Sequence, residues 1–127
     1  MNNFDLLCKW SEIEATICKS TFMQGTFEIV SPIDISFPTV TNVLNIGRRS
    51  AFERWYLLNS VLEFQCWRKN WFWVVSVPET AESPFQCAIE CRKTRKSALF
   101  SGGTRVEAFL QAYVAMLLQT MEKSSDA

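Results

Sequence analysis

Hydrophobic residues recur at a helical period in two long stretches of this chain, and at a period of two between them. After Gly47, Phe52, Trp55, Tyr56, Leu58, Val61 and Leu62 return every few residues, and Leu57 and Phe64 widen the stripe. A stripe that wide predicts a helix buried on more than one side. Near the C-terminus Val106, Leu110, Tyr113, Leu117 and Met121 make a second stripe, with Arg105, Gln111 and Gln119 off its centre. Both stretches open with a Ser or Thr followed three residues later by Glu, at Ser50–Glu53 and Thr104–Glu107. In such a capping box the hydroxyl accepts a free backbone N–H while the carboxylate reaches back to the cap. A third pair, Ser11–Glu14, falls inside a stretch from Asn3 in which Phe4, Leu7 and Trp10 already share a helical face. There it marks either a break or a chance match.

Between the two main helices Trp71, Trp73, Val75 and Val77 alternate with Phe72, Val74 and Ser76. Phe85, Cys87, Ile89 and Cys91 then alternate with Gln86, Ala88, Glu90 and Arg92. The second set separates into an apolar and a polar face, the mark of a half-buried antiparallel strand. Residues 78–84, bounded by two prolines, read as the connecting loop, and residues 92–96 as a turn into a short third strand near 97–100. Upstream, residues 26–30 and 33–37 look extended, with Pro32 between them and Pro38 closing the second. Their place in the sheet is left open by the pattern. The prediction is an α+β fold: a helix, a three-stranded antiparallel meander and a helix over residues 50–121. An N-terminal helix and extended segment (residues 1–47) pack on that unit, and residues 123–127 form a flexible tail. At 127 residues one domain is the natural expectation.

Composition adds two constraints. The chain is 48% apolar and 13% aromatic, with five Trp and ten Phe. That is more aromatic surface than a minimal core requires, so part of it is expected at an interface with a partner or a second copy. Trp67, Trp71, Phe72 and Trp73 are the densest cluster, and both parities of that strand are aromatic. Its second face should therefore be covered, either by the N-terminal segment or by another subunit in a homodimer.

Lys plus Arg and Asp plus Glu both number 13, which argues against a nonspecific nucleic-acid or membrane binder. The charge is uneven. Lys9 and Lys19 stand against Asp5, Glu12, Glu14, Glu28 and Asp34 in the first third, whereas Arg48, Arg49, Arg54, Arg68 and Lys69 outnumber Glu53 and Glu63 in the middle. Cysteines 8, 18, 66, 87 and 91 are odd in number and lack metal-ligand spacing, and the chain has no His. These features predict free thiols, no metal, no cofactor and a reducing, cytoplasmic setting. No stretch approaches transmembrane length.

Two families share the α-β-β-β-α order. With its apolar helix from Ser50, a strand bearing Trp71 or Trp73, and Thr104-Arg105-Val106-Glu107-Ala108 followed by Ala112 and Ala115, the chain resembles the small ABA-sandwich domain common in phage proteins. The resemblance covers a little over half the chain. It implies a phage or mobile-element origin and brings no catalytic residues. Gly103-Thr104-Arg105-Val106-Glu107-Ala108 is also similar in outline to the last helix of double-stranded RNA-binding domains. Here, however, Val106 and Phe109 stand where phosphate-contacting lysines are expected, and Glu79 and Glu82 would repel phosphates.

Catalytic chemistry finds no support. Without His a Ser or Cys nucleophile lacks its commonest base, and there is no Gly-x-Ser-x-Gly elbow or phosphate-cradling loop. Ser101-Gly102-Gly103-Thr104 leads into a helix N-terminus that could attract an anion, but a plain turn and cap explains it as well. The dense charge feature is Arg92-Lys93-Thr94-Arg95-Lys96, four cations in five residues at a strand turn. It is either a solvated turn or a recognition element, and Arg68 and Lys69 extend it if the connections fold toward each other. The expected function is a non-catalytic binding protein of a phage or mobile element that occupies a host protein surface, a defence or CRISPR component being the concrete target. Its candidate contacts are Arg92, Lys93, Arg95, Lys96, Arg68, Lys69 and Trp71. The alternatives are a nucleic-acid-binding or transcription-modulating domain using the 92–96 turn, and a small enzyme of unrecognised type.

Overall fold

The computed structural model describes residues 3–20, 27–32, 41–45, 51–77 and 85–125. Three helices and six strands follow one another as α1 (Asn3–Ile13), β1 (Cys18–Ser20), β2 (Phe27–Pro32), β3 (Thr41–Asn45), α2 (Ala51–Arg68), β4 (Trp71–Ser76), β5 (Phe85–Cys91), β6 (Ser97–Gly102) and α3 (Arg105–Ser125). The fold is α+β, and its second half is the helix–meander–helix order predicted from the periodicity. The chain divides into two compact units, Met1–Phe64 and Gln65–Ala127, with the boundary inside α2.

In the first unit, β1, β2 and β3 form an antiparallel sheet in that order. The residues from Phe27 are therefore extended as predicted, but they pair with β1 and β3, not with the meander. The expected break at Pro32 is instead the last residue of β2, opposite Thr41, where a residue without an N–H is tolerated. Residues 33–37 lie outside the described residues, as do Ser50 of the second capping box and the 78–84 loop. Cys18 faces Ile29 in the register, and both are fully buried. The Cys18 thiol reaches Leu7 O of α1 at 3.8 Å, and Phe4 meets Phe27 edge-on at 6.0 Å.

The buried face of α1 is Leu6 and Trp10, so Phe4, which is exposed, and Leu7, half-buried, are not its centre. Ser11 is not a cap. Its hydroxyl donates to Cys8 O within the helix, and Glu14 instead accepts the Trp10 Nε1–H at 2.9 Å. The helix passes through Ser11 because that hydroxyl is already satisfied by the preceding turn.

In the second unit α2 ends through Asn70 at φ 60°, a left-handed residue that Asn tolerates, and the chain reverses into β4. β4, β5 and β6 form an antiparallel meander. Its register sets Trp71 opposite Cys91, Trp73 opposite Ile89, and Val75 opposite Cys87. Facing residues share a side of a sheet, so these six lie on one face. That face lies under α3: Trp71 is 5.6 Å from Tyr113, and Trp73 stacks on Phe109 at 6.4 Å. Cys87, Ile89 and Ala98 are buried between the sheet and Phe109, Tyr113 and Met116, while Phe85 and Cys91 at the strand ends are half-buried. Gln65, a buried polar side chain of the last turn of α2, donates to the Tyr113 hydroxyl at 3.4 Å.

The start of α3 fits its predicted box with one displacement. Glu107 N donates to Thr104 Oγ1 at 3.2 Å, but the Glu107 carboxylate accepts from Gly103 N at 3.1 Å, one residue before the cap. Gly102 lets β6 run directly into this turn, because a Cβ there would stand 2.6 Å from Ala108 N. The helix continues to Ser125, taking in residues assigned from sequence to a flexible tail.

Candidate functional surface

The second face of the meander carries the opposite parity. Phe72, Val74, Ala88 and Leu99 project from it, since Val74 pairs with Ala88 and Ala88 with Leu99. Phe72 is 49% exposed, Val74 44% and Leu99 63%. Among the described residues of the second unit no layer covers this face, and three large apolar side chains meet solvent together. Contiguous exposed apolar groups on a sheet face are uncommon in proteins without partners, whereas scattered ones are not.

The 92–96 turn is a tight hairpin loop. Cys91 N donates to Lys96 O at 2.8 Å and Arg95 N to Cys91 O at 2.9 Å. Arg95 sits at φ 64°, the left-handed region that Gly or Asn normally fills, at a cost of roughly 1–2 kcal/mol for a residue with a Cβ. The four cations differ in what they do. The Arg92 guanidinium lies 5.7 Å from the Phe72 ring centroid, within cation–π range. Lys93 is exposed and has no ion-pair partner among the described residues. Arg95 pairs with Glu90 at 3.4 Å, an exposed bridge worth little. Lys96 is half-buried and donates to Gln119 O of α3 at 3.4 Å. Arg92 and Lys93 are thus exposed with no carboxylate partner among the described residues, whereas Arg95 is paired with Glu90 and Lys96 is held half-buried against α3.

Arg68 and Lys69 do lie at the same end of the sheet, because Trp71, two residues after Lys69, pairs with Cys91, the residue before Arg92. Arg68 is exposed, and Lys69 holds its ammonium 5.4 Å from the Trp71 ring centroid. Trp71 itself is 6% exposed and belongs to the core under α3. As a contact residue it is corrected by its neighbour Phe72. Leu99 was missed. Ala98, Leu99 and Phe100 are all apolar, so the run shows no alternation from which its exposed face could be read.

All five cysteines are free thiols. Burial, with the nearby Cys8 and Glu14, pushes the Cys18 thiol up to about 12. Burial likewise pushes Cys87 up to about 12, against a smaller opposing effect of Arg105. A thiol held protonated is a poor nucleophile and a poor metal ligand. Among the described residues no group of three or more His, Cys, Asp or Glu side chains is placed to hold a metal ion, and no helix is long and apolar enough to cross a membrane. The N–H groups at the start of α3 that could attract an anion include Gly103 N and Glu107 N, which the chain's own Glu107 carboxylate and Thr104 hydroxyl occupy. No family model, no curated protein and no solved structure matches this chain.

Proposed function

We propose that this protein is a non-catalytic binding module that acts by occupying the surface of another protein, through the outer face of β4–β5–β6 and the adjoining basic turn. The observation that carries the reading is the Arg92–Phe72 contact, which joins the cationic turn and the apolar face into one surface. Interfaces between proteins combine an apolar centre with a charged rim and favour aromatic and Arg anchors. Phe72, Val74 and Leu99 supply the centre, and Arg92 and Lys93 the rim. The complementary partner has an acidic margin around an apolar spot. The likeness to phage ABA-sandwich domains adds a setting: a phage or mobile-element protein binding a host protein, with a defence or CRISPR component the first to test.

A nucleic-acid partner fits the same surface less well. Phosphates would engage Arg92 and Lys93 but leave Val74 and Leu99 without apolar contacts, and the Glu90 carboxylate of β5 is paired with Arg95 beside the turn. Affinity purification from the native host, with nuclease added to one arm, separates the two. Protein partners that survive nuclease support the proposal, and material lost with nuclease supports nucleic-acid binding.

A further inference from the structure

The two edges of the meander are not equivalent. The Cys91 N–H to Lys96 O bond fixes the alternation of hydrogen-bonded and open pairs along β5–β6. Ala98 and Phe100 then bond to β5, and Ser97, Leu99 and Ser101 turn their backbone groups outward. Two of those outward carbonyls are sealed by α3: Gln119 Nε2 donates to Ser97 O at 3.0 Å and Gln111 Nε2 to Ser101 O at 3.1 Å. The same alternation gives Phe72, Val74 and Ser76 to β5 and leaves Trp71, Trp73 and Val75 with backbone groups facing out from the β4 edge. Among the described residues nothing seals them. The β4 sequence Trp-Phe-Trp-Val-Val-Ser has no charge, Pro or Gly, the devices that usually blunt an edge strand.

We infer that the β4 edge binds β4 of a second copy of this chain, antiparallel and centred on Trp73. The occupant follows from three features. The edge is self-complementary about Trp73: Trp71 meets the second copy's Val75 and Val75 its Trp71, each outward pair exchanging two main-chain bonds. Phe72 comes opposite the second copy's Val74, an aromatic–β-branched pair of the kind that stabilises sheets. With β6 sealed, the meander has one open edge among the described residues, so pairing through it closes at two and does not propagate. The six-stranded sheet keeps its outer face open and doubles it, so the dimer stands or falls separately from the proposed partner binding.

Sedimentation equilibrium of the full chain across a concentration series tests this. The wild type should pass from monomer to dimer and stop there. Val75→Pro should remain monomeric while keeping its fold by circular dichroism, because the N–H it removes points away from β5. The register is tested independently by Phe72→Cys with Val74→Cys, whose Cα atoms should lie about 4.5 Å apart across the interface, within disulfide reach. Mild oxidation should yield a covalent dimer from the double variant and not from either single variant or the wild type. Should Val75→Pro fail to fold, the cross-link decides alone. A wild type monomeric to its highest soluble concentration, a folded Val75→Pro that dimerises equally, or equal cross-linking by the single variants would overturn the inference.

Discussion

Gln119 on α3 donates its side-chain amide to Ser97 O at the edge of β6, while its own carbonyl accepts the Lys96 ammonium. This clasp, with its companion from Gln111 to Ser101, ties the helix along a sheet edge and occupies main-chain acceptors that another strand could use. Gln111→Leu with Gln119→Leu should cost only about 0.5–1.5 kcal/mol per bond, since the carbonyls are exposed and water replaces the amides. The larger effect should be on assembly. With both edges open, light scattering should show species beyond the dimer, growing with concentration. A size distribution identical to the wild type would show that the glutamines do not guard the edge.

Leu110→Asp probes the packing of α3. Leu110 is 3% exposed, so the substitution buries an unpaired carboxylate. The loss should be several kcal/mol, on the order of half the stability of a typical domain. A melting temperature equal to the wild type would refute the assignment of that face to the core.

Gly102→Ala tests the close approach of β6 to the start of α3. The new Cβ would stand 2.6 Å from Ala108 N and 3.0 Å from Glu107 Cβ, and backbone has to move. Overpacking of this kind costs about 1–3 kcal/mol, visible as a drop of several degrees in a thermal melt. Gly103→Ala should cost less, because its nearest atom is the movable Glu107 carboxylate at 3.3 Å.

The buried thiols predict an alkaline limit. Cys18 and Cys87 have folded pKa values raised from 9.0 to about 12, so each favours the folded state fully below pH 9. Between pH 9 and 12 the unfolded thiol ionises while the folded one does not, and stability falls with rising pH by up to one proton per thiol. Denaturant melts across that window should show the decline, and Cys18→Ala with Cys87→Ala should flatten it while lowering stability at neutral pH through the lost packing. In the same native protein alkylation should reach half-buried Cys8 or Cys91 before Cys18 or Cys87.

What the sequence made legible was local. The stripe from Val106 to Leu117, the Thr104 cap and the period of two in Phe85–Cys91 all depend on near neighbours and appear where predicted, whereas Met121, the last residue of the predicted stripe, is exposed. β1, with three residues, is too short to display a period, and β3 offers only Val43 and Leu44 as apolar residues. Ser11–Glu14 is the chance match, the second of its two readings, because a hydroxyl three residues before a Glu satisfies the capping pattern whether or not the chain is already helical. Trp71 did mislead. With aromatics on both parities of β4, its own sequence does not say which goes under α3, and the answer comes from the pairing with Cys91 and Ile89 across the sheet. Gln111 and Gln119 were visible as polar residues off the stripe of α3. That they meet the β6 edge is a tertiary fact no helical pattern contains.

The central claim is that the surface joining Phe72 to the basic turn is what this protein uses. The most direct measurement is quantitative affinity purification from the native host, comparing wild type with Lys93→Glu/Leu99→Glu. Both side chains are exposed, so the variant should melt within about 1 kcal/mol of the wild type. The account predicts a protein recovered with the wild type in the presence of nuclease and lost with the variant, because reversing a rim charge and placing a carboxylate at the apolar centre oppose the same interface. Equal recovery of every bound protein by the folded variant would contradict it.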